Sequence, residues 1–271
     1  MDQAAARLGR SAWPEVAWRW SRLTPSGFPI EVTVGADDTP PRWSCEIAGP
    51  ELADAARLDC VASRLAEAGQ SVAAPLLEAL RRLQCGRELH YGAWLGGRSN
   101  GEAASRLKLY AEIPAGVDFD ELSLPLVLKM VCSHAPAAAV PRMIGIEPAR
   151  ERVEAYLRLG TTDVEDLRPV LRAAGHPRGL EALDRGLPDG LRRLTGRRLG
   201  ISFAAAAGEP VALALFASAR SLFPGSPGLV TQLVPPTARV PASLGRRTLL
   251  TIGLDHDHEQ TVSCAVGLTM A

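Results

Sequence analysis

The chain has no excess of charge of either sign: 30 lysines and arginines balance 30 aspartates and glutamates. That excludes a protein held to nucleic acid or to a membrane surface by bulk charge, though local basic clusters stay open. No apolar run is long enough to span a bilayer, and Met1 to Trp20 lacks the apolar stretch of a secretory signal. The five cysteines, Cys45, Cys60, Cys85, Cys132 and Cys264, are odd in number, scattered and without CxxC spacing. They read as reduced thiols of a cytoplasmic protein, not as a disulfide frame or a zinc site. There is no nucleophile elbow or Ser-His-Asp arrangement. Gly92, Gly96 and Gly97 form no phosphate loop, because no helix follows them. The run Asp255-His256-Asp257-His258-Glu259 has metal-ligand chemistry, but a charged hairpin turn accounts for it more simply, so no protein metal site is expected.

What is present is alternation. In Arg106-Leu107-Lys108-Leu109-Tyr110-Ala111-Glu112-Ile113 every second residue is polar, the signature of a strand with one apolar and one wet face. The wet face carries cations and a phenol in line, an arrangement able to hold a phosphate as well as to face water. The pattern recurs. Hairpins are predicted near residues 28–47, 89–113, 142–159, 199–216 and 247–269. In the second, Leu89–Gly96 is one strand, Gly97–Gly101 the turn and Ala104–Ile113 the other strand. Helices are expected over Met1–Leu23, Pro50–Gly69, Ser71–Cys85, Val117–Cys132, Thr162–Ala174 and Arg178–Leu194, with a short proline-broken helical stretch from Ser218 to Pro241.

Five hairpins spaced by roughly 50–60 residues and alternating with helices suggest a repeated unit. Ten antiparallel strands tend to curl or close, and closure removes the edges. Helices then cover the outward apolar faces, and the polar faces line a lumen. A flat sheet with one solvent face is the alternative. The fold class expected is α+β: a single domain over residues 1–271, a ten-stranded antiparallel barrel with an accessible lumen, ringed by helices.

This pattern resembles the prenyltransferase barrel, or ABBA fold, and within it the aromatic prenyltransferases of the dimethylallyltryptophan-synthase type. Glu31, in Pro29-Ile30-Glu31, looks like the family's first-strand glutamate, the general base for an indole acceptor. Arg42 looks like its second-strand arginine, which holds the donor's diphosphate. Lys108-Leu109-Tyr110 matches the fourth-strand Lys-x-Tyr. In Arg152-Val153-Glu154-Ala155-Tyr156 the family's sixth-strand Arg-x-Lys-x-Tyr is met at Arg152 and Tyr156, but Glu154 replaces the lysine. The tyrosines of the last two hairpins are absent: the inward candidates there are Ala212, Ala214, Phe216, Ser263, Ala265 and Gly267.

The resemblance implies transfer of a dimethylallyl or geranyl group from an allylic diphosphate to an aromatic acceptor, an indole compound or a peptide. Arg42, Lys108 and Arg152 would stabilise the leaving diphosphate. Tyr110 and Tyr156 would help hold it and shield the allylic cation, and Glu31 would remove the proton. Trp94 is a candidate for stacking on the acceptor, barrel packing being the other reading. For Glu31 the other reading is an inward carboxylate paired with Arg42 or Lys108. No organic cofactor is required, although magnesium could neutralise the diphosphate. The small residues of the last two hairpins imply a lumen wide enough for a bulky acceptor. Glu154 and the missing tyrosines keep two alternatives open: a barrel repurposed for cyclisation or rearrangement, and a non-catalytic binding barrel.

Overall fold

Strand faces and helix stripes combine as a closed barrel in the computed structural model, which describes residues 20–24, 27–35, 40–98, 106–224, 229–230, 233, 246–254 and 262–269. Its strands are β1 Ile30–Gly35, β2 Arg42–Glu46, β3 Ala93–Arg98, β4 Arg106–Glu112, β5 Val140–Glu147, β6 Arg152–Thr162, β7 Arg197–Ala205, β8 Ala212–Ser218, β9 Arg246–Leu254 and β10 Val262–Thr269. Each pairs antiparallel with its sequence neighbours, and β1 pairs with β10 to close the sheet. The flat-sheet alternative is thereby set aside.

Alternation explains the closure. In β4, Leu107, Leu109 and Ala111 are fully buried while Arg106, Lys108 and Tyr110 are half-buried on the opposite face. The same pattern holds in β8, where Leu213, Leu215 and Ala217 are buried between half-buried Ala212, Ala214 and Phe216. The buried faces look outward to helices: α1 Asp54–Glu67, α2 Ala74–Gln84, α3 Leu126–Cys132, α4 Arg168–Ala173, α5 Gly179–Gly186 and α6 Ala219–Leu222. Leu58, Val61 and Leu65, at i, i+3 and i+7, bury the stripe of α1 that packs on β3 and β4. This helix stops where expected. Gly69 takes a left-handed φ of 73°, and the Gln70 N–H returns to the Leu65 carbonyl at 2.9 Å.

Several boundaries differ from the sequence reading. The predicted helix Val117–Cys132 is a 3₁₀ turn, Phe119–Glu121, followed by α3; Pro125 cannot continue a helix, so α3 starts after it. Pro188 likewise confines the predicted helix Arg178–Leu194 to α5 and a short 3₁₀ turn, Gly190–Arg193. Thr162 ends β6 and does not begin a helix. Of the predicted helix Met1–Leu23, residues 1–19 lie outside the described residues, and the rest is not helical. The turn at residues 255–259 and most of 225–241 also lie outside the described residues.

The largest departure is at β3. Residues 89–92 are not strand, because their backbone is captured by a distant side chain. The Glu112 carboxylate accepts N–H groups from His90, Tyr91 and Gly92 at 2.7 to 2.9 Å. Gly92 adopts φ 63°, and a Cβ there would lie 1.8 Å from the Asp54 carbonyl oxygen. Glycine is therefore required at this position. β3 then runs on to Arg98, two residues past the predicted strand end at Gly96.

Candidate active site

The inward residues fall into rows across the strands. Arg42 on β2 lies directly opposite Arg98 on β3, which lies opposite Arg106 on β4. The next row is Glu31, Ser44, Gly96 and Lys108. The third is Glu46, Trp94, Tyr110, Gly145 and Glu154. Two glycines make room in these rows. A Cβ on Gly96 would come 2.5 Å from the Tyr110 ring, and one on Gly145 would come 2.5 Å from Lys108 Cε.

Arg42, Arg98, Arg106, Lys108, Tyr110, Glu147, Arg150, Arg152, Glu154 and Ser202 line one cavity of about 150 Å³. Adjoining it, and sharing Arg42, Arg98 and Ala214, is a second of about 270 Å³ walled by Thr33, Thr251, Gly253, Ser263 and Ala265. Together they reach the lower part of the small-ligand range, about 300–1,000 Å³. One wall is cationic and the other is small and neutral. None of residues 20–24 lines either cavity; they contact Glu46 at the end of β2 and Arg57 of α1. Ser21 Oγ donates to Glu46 at 2.6 Å, and Trp20 lies under the Arg57 guanidinium.

Lys108 is already engaged. Its ammonium forms a very short ion pair with Glu154 and donates to the Tyr156 hydroxyl at 3.1 Å. Burial pushes the Glu154 carboxyl up, but Lys108, a hydrogen bond from Ser202 and the charge of Arg152 outweigh it and hold the group at about 2. Burial and the adjacent Glu154 charge push the Tyr156 phenol well above its ordinary value, so it stays protonated. Tyr156 meets Tyr110 edge-on, with centroids 6.0 Å apart, and Phe216 at 5.7 Å. The result is an aromatic wall beside the cations. Glu147 stands 3.5 Å from Arg106, and Glu209 binds Arg150 at 2.6 Å and Arg152 at 3.7 Å.

Of the seven residues singled out from sequence, Arg42, Lys108, Tyr110 and Arg152 share the first cavity, and Tyr156 touches Lys108. Glu31 is half-buried on the inward face of β1, opposite Ser44 and two residues from Thr33 of the second cavity. Trp94 is inward but already stacked: its ring lies on Tyr91 at 3.8 Å, and its Nε1 donates to Glu46 at 3.1 Å. Alternation along the predicted strand Leu89–Gly96 would set Tyr91 on the face opposite Trp94. The loop held by Glu112 turns it inward, and an acceptor could stack only on the other face of Trp94. Arg98 was missed because the predicted turn Gly97–Gly101 swallowed it. Its signal was alternation, two residues after Gly96 and four after Trp94. Glu46 was also missed; burial pushes its carboxyl up against the opposing effects of Ser21, Arg57 and Trp94.

The first cavity's carboxylates, Glu147 and Glu154, each sit against a cation. A magnesium ion would fit here only as a companion of the diphosphate. Among the described residues no group of three His, Cys, Asp or Glu could hold a metal.

No family model and no curated protein matches the chain. Solved structures do. A 6-dimethylallyltryptophan synthase from Micromonospora olivasterospora, in complex with DMASPP and Trp, has 16% identity over 93% of this chain and 84% of its own, with a TM-score of 0.61. The prenyltransferase PriB, as a ternary complex with L-tryptophan and dimethylallyl thiolodiphosphate, has 15% identity over 98% and 87%, with a TM-score of 0.63. The fold is the prenyltransferase barrel. A 5-dimethylallyl tryptophan synthase from Streptomyces coelicolor, also with DMASPP and Trp, has 13% identity over 92% and 81%, with a TM-score of 0.60. At these identities it is the prenyltransferase barrel that is shared, and the chemistry of this lumen has to be argued from its own side chains.

Proposed function

We propose that the protein is an aromatic prenyltransferase, moving a dimethylallyl or geranyl group from its diphosphate to an indole-containing acceptor. The observation that carries this reading is the lumen itself, where a cluster of cations stands against the aromatic wall of Tyr110, Tyr156 and Phe216. The chemistry needs both. The donor's C–O bond breaks, its electron pair leaves with the diphosphate, and fixed cations stabilise that charge without reorganising. Arg42 and Arg152 supply it, while Lys108 contributes only as far as Glu154 releases it. The allylic cation left behind meets ring faces in place of water. The acceptor ring attacks to form the new C–C bond, and a carboxylate takes the proton lost from the ring carbon. Glu31 is the carboxylate we assign to that step. Trp94, braced by Tyr91, forms an acceptor wall.

The neighbours solved in complex with tryptophan support the choice of an indole acceptor. All ten strands belong to one sheet, and we take the chain as one barrel domain. No described helix is long and apolar enough to cross a membrane, and the five free thiols suit a reducing cytoplasm.

The test is incubation of the purified protein with dimethylallyl or geranyl diphosphate and a panel of tryptophan, indoles and tryptophan-containing peptides, with magnesium or with chelator, read by mass spectrometry. A prenylated product absent from a Glu31→Gln control is expected. No product from any pair, with ligand binding intact, would favour the binding barrel. A rearranged donor with no acceptor adduct would favour the repurposed enzyme, the reading to which the Lys108–Glu154 pair lends weight.

A further inference from the structure

The row Arg42, Arg98 and Arg106 is energetically odd. Directly opposite residues on antiparallel strands have Cα atoms about 4.5–5.5 Å apart, and like charges so placed repel. Here cations stand opposite one another on adjacent strands twice in succession, all half-buried on the inward face. Burial, then the charges of Arg42 and Arg106, weaken the hold of Arg98 on its proton. Among the described residues neither Arg42 nor Arg98 has an ion pair with a carboxylate. Glu147 pairs directly with Arg106, at 3.5 Å, and its charge only partly offsets the effect on Arg98. One row further along, Lys108 has Glu154.

We propose that this row is the diphosphate clamp, with Arg98 and Arg106 as diphosphate ligands beside Arg42. The inference rests on the transferase reading for the identity of the anion, but not for its place. Guanidinium groups present paired N–H donors that match phosphate oxygens, and a row of them offers each phosphate a separate fork. The clamp lies one step along the inward face from Lys108, about 6.8 Å at two residues of rise. Arg42 and Arg98 also border the second cavity. A donor held there can lay its prenyl chain past Tyr110 and Tyr156 while the neutral wall stays open to an acceptor.

The test is calorimetric titration of the whole protein with inorganic pyrophosphate and, separately, with dimethylallyl thiolodiphosphate. Arg98→Gln and Arg106→Gln should each weaken both ligands by about tenfold to a hundredfold, the loss of one charge-assisted interaction. Removing the Lys108–Glu154 pair as a unit, with Lys108→Met and Glu154→Gln together, should weaken them less than either arginine variant does. Arg98→Lys, which keeps the charge, should recover part of the affinity, and melting curves check that each variant is folded. The clamp is overturned by arginine variants that bind like the wild type, or by a larger loss on removing the pair. Wild-type protein that binds no pyrophosphate would also overturn it. Failure of the transferase reading looks different: arginine-dependent pyrophosphate binding with no turnover of any donor leaves the clamp standing. Turnover with an unchanged KM in both arginine variants removes the clamp and leaves the transferase.

Discussion

With side chains only 14% and 13% exposed, Lys108 and Glu154 meet where water screens them poorly. The folded barrel holds the Glu154 carboxyl at about 2, against 4.5 when free. Its contribution to stability is therefore fully present above about pH 4.5 and is lost as the pH falls toward 2. Urea midpoints measured across that window should drop by an amount equivalent to at most about 3 kcal/mol, and Glu154→Gln should flatten the profile. An equally steep acid limb in the variant would assign the loss to other carboxylates. At neutral pH the same substitution strands the Lys108 ammonium, at a cost of about 3 kcal/mol. It also removes a carboxylate from an anion site and frees a cation, so pyrophosphate should bind about tenfold more tightly in calorimetry. Unchanged affinity would mean that Lys108 lies too far from the bound anion to matter. Stability and anion binding are thus opposed at this one pair.

At the scale of the element, the start of β3 shows where reading by alternation works and where it stops. Glu112→Ala should cost about 3 kcal/mol or more in urea unfolding, because the N–H groups of His90, Tyr91 and Gly92, the last two of them buried, lose their acceptor. A loss under about 1 kcal/mol would mean that water replaces the carboxylate there. The strands were legible because each needs one apolar face under a helix, so period two survives in almost every one. Residues 89–92 keep that period, Leu89 and Tyr91 against His90 and Gly92, yet are not strand. What decides their conformation is a carboxylate some twenty residues away, which no local pattern records. The shortened helices were different: Pro125 and Pro188 were visible signals, outvoted by apolar residues around them. The site followed the same division. Residues within single strands, such as Lys108 and Tyr110, could be placed on a face. The row joining Arg42 to Arg98 and Arg106 depends on register between three strands, and β3 had been ended too early to enter it.

Across the whole molecule the lumen divides the work between two walls. Strands β2 to β6 supply the charged groups, from Arg42 to Glu154, while β8 to β10 supply Ala212, Ala214, Gly253, Ser263 and Ala265. Closure of the barrel places these walls opposite each other, so an anion can be held on one side without covering the other. Ala214 borders both cavities and is half-buried, which makes it the position at which the division can be tested. Ala214→Phe adds a ring to the neutral wall and no charge. It leaves the arginines in place, so pyrophosphate affinity should change by less than about threefold. Turnover should fall selectively: kcat/KM for a tryptophan-containing peptide or a geranyl donor should drop by at least about tenfold, with a much smaller loss for free indole and a dimethylallyl donor. The selectivity is the decisive reading, because a general distortion of the barrel would lower all four values together and weaken pyrophosphate as well. A variant that keeps every value would place the acceptor on the Trp94 side, against the wall that Tyr91 braces.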